Sequence, residues 1–136
     1  MFSDIYRGKK ILITGDTGFK GSWLALWLLE LGADVYGYAL PPEREEDNFV
    51  VCKLGTLFHH NDGDVRDLKA LIQLFDKIQP DIAFHLAAQP LVLESYKNPQ
   101  ETFSTNVMGT VNFFEAVRFN SSVKVAINIT SDKCYQ

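Results

Sequence analysis

Hydrophobic and polar positions along this chain switch between two periods. "KKILIT" (9–14) is a compact run rich in β-branched residues and ended by Gly15, which predicts a strand. Apolar residues at 23, 24, 27, 28 and 31 then repeat at helical spacing, and Gly32 supplies a C-terminal cap. "DVYGYAL" (34–40) predicts a second strand, stopped by Pro41-Pro42. The charged segment "PPEREEDNFVVCKLG" (41–55) reads as a surface excursion, and "TLFHHND" (56–62) as a weak third strand. Leu68, Leu71, Ile72, Phe75 and Ile78 mark a helix closed by Pro80, followed by a fourth strand, "DIAFHLAA" (81–88). Asn98 as N-cap, Pro99 at the first helical position and Glu101 reaching back start another helix. Phe103, Val107, Val111, Phe114 and Val117 continue it on one face, and "VKVAINIT" (123–130) is a fifth strand.

Five short strands separated by helix-length segments predict βαβ crossovers. The fold class is therefore α/β, a doubly wound parallel sheet of Rossmann type with three layers. Ligands of such sheets bind beyond the carboxyl ends of the strands. Those ends are Thr14-Gly15, Ala39-Leu40, Asp62–Asp64, Leu86–Gln89 and Thr130–Lys133. Trp23, Trp27 and the phenylalanines are expected in the core.

Composition narrows the function classes. At 136 residues the chain has the length of one domain. A net charge of −4 argues against a general nucleic-acid or membrane-surface partner, while leaving room for a local phosphate pocket. The longest apolar stretch (22–33) is too short to span a bilayer and contains Glu30, and the first ten residues lack a signal-peptide pattern. Cys52 and Cys134 are far apart, the pattern of free thiols in a reducing cytoplasm. His59, His60 and His85 fall on strands without a ligand-like spacing, so no metal is expected.

"TGDTGFKGS" (14–22) joins the first strand to the first helix, with glycines 15, 18 and 21 spaced G-x-x-G-x-x-G. In that setting Gly15 permits the tight turn, Gly18 the approach of a phosphate and Gly21 close helix–strand packing. A pyrophosphate would rest on the free N–H groups of the helix start. The other reading is a turn that serves packing alone. A dinucleotide site of this kind usually carries an acid at the tip of the second strand; Ala39-Leu40 stands there instead. Arg44, a little further on, is either a partner for a 2′-phosphate or one solvated charge in "EREED". NAD and NADP both remain open on these grounds.

The chain resembles the extended short-chain dehydrogenase/reductases, and among them the nucleotide-sugar 4,6-dehydratases. The resemblance runs from about Gly8 to the last residue and rests on "TGDTGFKGSWL", "GDVRD" (63–67), "HLAAQPLV" (85–92), "SYKNPQETFSTNVMGT" (95–110) and "TSDKCY" (130–135). The wording is most similar to the branch acting on CDP-glucose, which also lacks the acid at the second strand. The resemblance implies NAD as cofactor, a nucleotide-sugar substrate (CDP-glucose), and a homo-oligomeric full-length protein. It assigns the pyrophosphate to Gly15, Gly18 and Gly21 with Thr17, Phe19 and Lys20 beside them. Asp64 and Val65 match the pair that reads adenine, Asp64 having an N-cap as its alternative role. Leu86, Ala87 and Ala88 match backbone along the nicotinamide-side ribose. Asn106 matches a helix asparagine of the family, or else bonds within its own helix. Thr130 closes the cofactor set, and Gln89 and Tyr96, with Glu94 between them, face the sugar or are ordinary loop residues.

The same resemblance makes Ser131 the partner of the substrate 4-hydroxyl, and Asp132 and Lys133 the acid/base pair. In the dTDP-glucose type the second member is glutamate, so Lys133 departs from a carboxylate mechanism. The implied chemistry oxidises C4, eliminates water across C5–C6 and returns hydride to C6. Asp132 protonates the leaving hydroxyl, and Lys133 takes the C5 proton or stabilises the enolate. On position alone the pair is equally a solvated strand end. The family's Tyr-x-x-x-Lys and its substrate domain are expected beyond Gln136. The sequence thus reads as a truncated dinucleotide-binding domain over residues 1–136. The alternatives are an epimerase or reductase of the same superfamily, or a non-catalytic nucleotide-binding module.

Overall fold

The computed structural model describes residues 4–131. All five expected strands form: β1 (Lys10–Thr14), β2 (Asp34–Ala39), β3 (His59–Asp62), β4 (Ile82–His85) and β5 (Val125–Asn128). They make one parallel sheet in the order β3-β2-β1-β4-β5. Chain direction reverses its lateral progress between β1 and β4, so the crevice for a ligand opens above those two strands.

Ile11, Leu12 and Ile13 of β1 are fully buried because helices cover both sheet faces, which is why this strand is continuously apolar. One layer packs Ile11, Ile13, Val35 and Phe84 against Ala25 and Leu28 of α1 (Phe19–Glu30). The other packs Leu12 and Ala83 against Leu71 and Phe75 of α3 (Leu68–Ile78) and Phe113 and Ala116 of α6 (Gly109–Phe119). Asp67 is the N-cap of α3, accepting from the Ala70 amide at 3.0 Å, and Gly32 (φ +81°) ends α1 as expected.

Several local expectations are corrected. α1 begins at Phe19, a full turn before Trp23. Its apolar residues surround the axis, and the sheet takes only the face of Gly21, Ala25 and Leu28. Trp23 and Trp27 consequently stand about half exposed, and Phe19 is 76% exposed. The excursion after β2 is not all surface: α2 (Asn48–Val51) and the turn Leu54–Thr56 insert Phe49 and Leu54 into the core. Between β4 and α6 run α4 (Val92–Lys97), α5 (Pro99–Phe103) and one wide π-type turn, Ser104–Met108. No capping box forms at α5; Asn98 instead donates its side-chain amide to Glu94. The stripe of Phe103, Val107, Val111 and Phe114 faces outward, since α6 turns Gly109, Asn112, Phe113 and Ala116 to the sheet. Val125, Ile127 and Ile129 are partly exposed.

Candidate functional site

The phosphate loop is built as its spacing predicts, but its three glycines answer different demands. Gly15 has φ +79°, and a Cβ there would stand 2.7 Å from the Ala87 backbone nitrogen. A Cβ on Gly21 would stand 2.0 Å from the Gly15 carbonyl oxygen. Both positions are therefore dictated by the fold. Gly18 is different. Its φ of −71° and ψ of 166° suit any residue, and its nearest obstacle to a Cβ is the Gly15 carbonyl at 3.3 Å. It is exposed, it precedes α1, and no side chain caps that helix. The first turn contains no acid, although acids are favoured there. The unfilled N–H groups thus face an open, electropositive cradle, which fits an anionic diphosphate. Lys20 lies exposed on the same turn.

Hydrogen bonds stitch this loop to β2. The Gly15 amide donates to the Tyr38 carbonyl at 2.9 Å, and the Thr17 hydroxyl to the Leu40 carbonyl at 3.0 Å. Thr17, expected at the cofactor, thus also holds the loop in place. Between them Asp16 is fully buried, and its Oδ2 lies 2.6 Å from Nδ1 of His60. The Asp16 carboxylate raises the His60 pKa above its ordinary value, against the opposing effect of burial. Sequence reasoning passed over this pair: His60 falls on a strand without a ligand-like spacing, and Asp16 was given no role. A carboxylate inside a glycine-rich turn, beside a strand with histidine on its inward face, was the available signal.

On the other side of the crevice, Gly15 abuts Leu86 and Ala87, so the structure brings these expected cofactor residues together. Ala88 follows, exposed. Below them His85 is buried, with Nδ1 2.7 Å from the Thr14 hydroxyl and Nε2 3.2 Å from the Thr110 hydroxyl, and its ring stacks on Phe113. Burial pushes its pKa down to about 4. This neutral ring links β1, β4 and α6 at the floor of the crevice.

Asn106 does not bond within its own helix alternative. From the wide turn it clamps the Gln89 backbone from both sides: Oδ1 accepts the Gln89 amide at 2.7 Å and Nδ2 donates to the Gln89 carbonyl at 3.0 Å. The added residue of a π-type turn aims this side chain at the loop after β4. The Gln89 side chain bonds Leu91 and Thr102, holding the same loop. Tyr96 is exposed on α4, apart from that clamp.

At the tip of β3, Asp64 is not an N-cap; Asp67 fills that role. Asp64 accepts from the Arg66 amide at 2.8 Å and from Nε at 2.8 Å, and the guanidinium holds its carboxyl below the usual carboxylate range. Arg66 thus occupies both carboxylate oxygens, its amide and Nε on Oδ1 and its Nε and Nη2 on Oδ2. Val65 is buried against Gly109, with its carbonyl held by Asn112 at 2.9 Å. Thr130 and Ser131 follow β5 at the same carboxyl edge, exposed. Asp132 and Lys133 lie outside the described residues. Beside the loop, Phe19, Trp23, Trp27, Leu86 and Ile129 line an open apolar groove of about 790 Å³. Among the described residues no cluster of three or more metal-ligating groups occurs, and no helix is long and apolar enough to cross a membrane.

Comparison with known proteins gives concordant findings. Residues 12–135 match the family described as GDP-mannose 4,6 dehydratase. The chain is 49% identical over 132 residues to a CDP-glucose 4,6-dehydratase of Salmonella typhimurium, covering 97% of this chain and 37% of the relative. It is 38% identical over 125 residues to a CDP-paratose 2-epimerase of Salmonella typhi, covering 90% of this chain and 37% of that protein. Among solved structures, a UDP-glucose-4-epimerase from Stenotrophomonas maltophila with bound NAD superposes with a TM-score of 0.80 at 25% identity. That match covers 92% of this chain and 38% of the epimerase. The chain thus spans little more than a third of the length of the relatives it matches.

Proposed function

Because this chain belongs to the GDP-mannose 4,6-dehydratase family, we propose that it forms the NAD-holding part of an enzyme that dehydrates CDP-glucose to CDP-4-keto-6-deoxyglucose. The observation that carries the cofactor half of this reading is Gly18: an exposed position with ordinary backbone angles, at an uncapped helix start, above the crevice between β1 and β4. The 49% identity to a CDP-glucose 4,6-dehydratase supports the substrate half. A cytoplasmic site of action and a place in the deoxysugar chemistry of lipopolysaccharide belong to the same reading, as does a homo-oligomer.

The residues divide the work as follows. Gly15, Gly18 and Gly21 with Thr17, Phe19 and Lys20 hold the diphosphate. Asp64 and Val65 take the adenine, and Leu86–Ala88 with Thr130 line the nicotinamide half. Asn106 and Gln89 keep the loop after β4 in position, and Gln89 and Tyr96 border the sugar. The bound NAD would supply hydride acceptance at C4 and hydride return to C6, with the 4-hydroxyl proton passing to a base of the full-length protein. Ser131 hydrogen-bonds the 4-hydroxyl so that its C–H is oriented for transfer. Once C4 is a ketone the C5 proton is acidic; Lys133 removes it or neutralises the enolate, and Asp132 protonates the departing 6-hydroxyl.

Incubating the full-length protein with NAD and CDP-glucose in deuterated water is expected to yield a 4-keto-6-deoxy product carrying deuterium at C5. Replacing Asp132 with Asn should lower turnover by roughly a hundredfold or more, in the range for loss of a general acid. A product that is only an epimer, with no water lost, would point to the epimerase reading that the Salmonella typhi relative favours. A second expected result isolates the cofactor site. Gly18→Ala should cost about 1 kcal/mol of stability, far less than alanine at Gly21, since its Cβ meets the Gly15 carbonyl oxygen at 3.3 Å rather than 2.0 Å. The same change should weaken NAD binding by about tenfold or more, measured by calorimetry, since its methyl group occupies the cradle.

A further inference from the structure

Asp16, His60 and Asp62 form a charge cluster that the functional reading leaves unused. Asp16 reaches from the phosphate loop under β2, with no exposure to solvent. β2 passes so close that a Cβ on Gly37 would stand 2.1 Å from the Asp16 Oδ2. That oxygen lies 2.6 Å from Nδ1 of His60, while Oδ1 has no hydrogen-bond partner among the described residues. The opposite ring nitrogen, Nε2, lies 3.2 Å from Oδ1 of Asp62, an exposed carboxylate at the end of β3. Around the ring, α2 contributes the Phe49 side chain at 4.9 Å between centroids and β2 contributes Gly37. Neither titrates. The charged groups facing His60 are thus Asp16 from the loop and Asp62 from its own strand.

A carboxylate only accepts hydrogen bonds, and neutral imidazole has one N–H. Filling both contacts takes an N–H on each ring nitrogen, which is the imidazolium. We propose that Asp16, His60 and Asp62 form a proton-dependent brace that positions the phosphate loop, so that dinucleotide binding weakens when His60 loses its proton. The dinucleotide part rests on the cofactor reading given above.

Two physical effects point the same way. Deprotonation turns a lone pair of the ring toward one of the two carboxylates, so one contact breaks and the brace loosens. Asp16 sits between Gly15 and Thr17, both hydrogen-bonded to β2, and a shift there is passed to Gly18 two residues on. Loss of the proton also leaves two carboxylates without a compensating charge near the seat of an anionic diphosphate. The His60 pKa is raised in the folded chain. The brace is therefore complete below the ordinary histidine value and is lost as pH rises through the raised one. Asp16 is a positioning residue here, acting through the loop.

The full-length protein, labelled with 15N-glycine and 13C-histidine, tests this between pH 6 and 9 by NMR, alongside calorimetric titration with NAD. The Gly15 and Gly18 amide signals are expected to move with the same midpoint as the His60 ring. NAD affinity should fall about tenfold across that midpoint, an ordinary size for coupling between two sites. In Asp16→Asn both midpoints should move down together toward about 6.5. In His60→Gln the affinity should become independent of pH; should that variant fail to fold, Asp16→Asn, which keeps the shape of the side chain, decides. Glycine signals and NAD affinity that stay constant while His60 titrates would overturn the brace. Glycine signals that follow His60 in a protein that binds no NAD at any pH would sink the cofactor reading and leave the brace standing.

Discussion

An alanine at position 21 is expected to unfold the chain or to remove at least about 3 kcal/mol of its stability, more than most single substitutions do. The added Cβ would lie 2.0 Å from the Gly15 carbonyl oxygen and 2.7 Å from its carbonyl carbon. Backbone cannot swing aside as a side-chain end can. Gly15 itself is fixed at φ +79° and pressed against the Ala87 backbone on its far side. Moving α1 outward instead would open the packing of Ala25 and Leu28, both nearly inaccessible, on Ile11 and Ile13. Urea titration followed by circular dichroism gives the midpoint, best compared with Gly18→Ala in the same experiment. Equal midpoints for the two variants would contradict this account of the loop.

Acidification is expected to cost the fold roughly 3 kcal/mol through His85 alone, at about 1.4 kcal/mol for each unit its pKa is displaced. Its folded-state pKa is about 4, against about 6.5 in an unfolded chain. Below the higher value the unfolded state takes a proton that the native state refuses. Stability therefore rises with pH between the two values and is fully present above the upper one. His85→Gln retains a donor and an acceptor for Thr14 and Thr110 and should flatten this part of the profile. The readout is the difference between parent and variant melting temperatures from pH 4 to pH 7. Parallel profiles would show that His85 is not the group responsible. His60 carries the opposite sign, its contribution disappearing as pH rises, so the two histidines bound the stable range from opposite sides.

The elements of this fold were legible where one periodicity governed a segment. β1, β2, α3 and the glycine-rich turn read directly, because apolar runs and glycine spacing reflect local sterics. What the periodicity of α1 and α6 could not convey is which of several apolar faces meets the sheet. α1 is apolar all round, and only the glycine at position 21 marks the side of closest approach. On α6 the face chosen carries Asn112, a polar residue placed inward to hold the Val65 and Arg66 carbonyls. Such a long-range bond leaves no local signature. Asp16 was hidden for the same reason, since its partner stands 44 positions away on another strand. Asn106 was recognisable as a position by family resemblance, yet its clamp on Gln89 depends on the wide turn that carries it.

The sheet order has a consequence for how the chain is made. β1 lies at the centre, with β2 on one side and β4 on the other. β2 and β3 follow β1 closely, so half of the sheet can assemble by short loop closures. The other edge of Ile11, Leu12 and Ile13 has no partner until Ile82–His85 has been synthesised. At translation rates of about 5–20 residues per second, that edge stays open for several seconds on a nascent chain. An unpaired apolar strand of this kind is a template for pairing with other chains. The central strand, the best-protected segment of the finished molecule, is thus its most vulnerable one during biosynthesis.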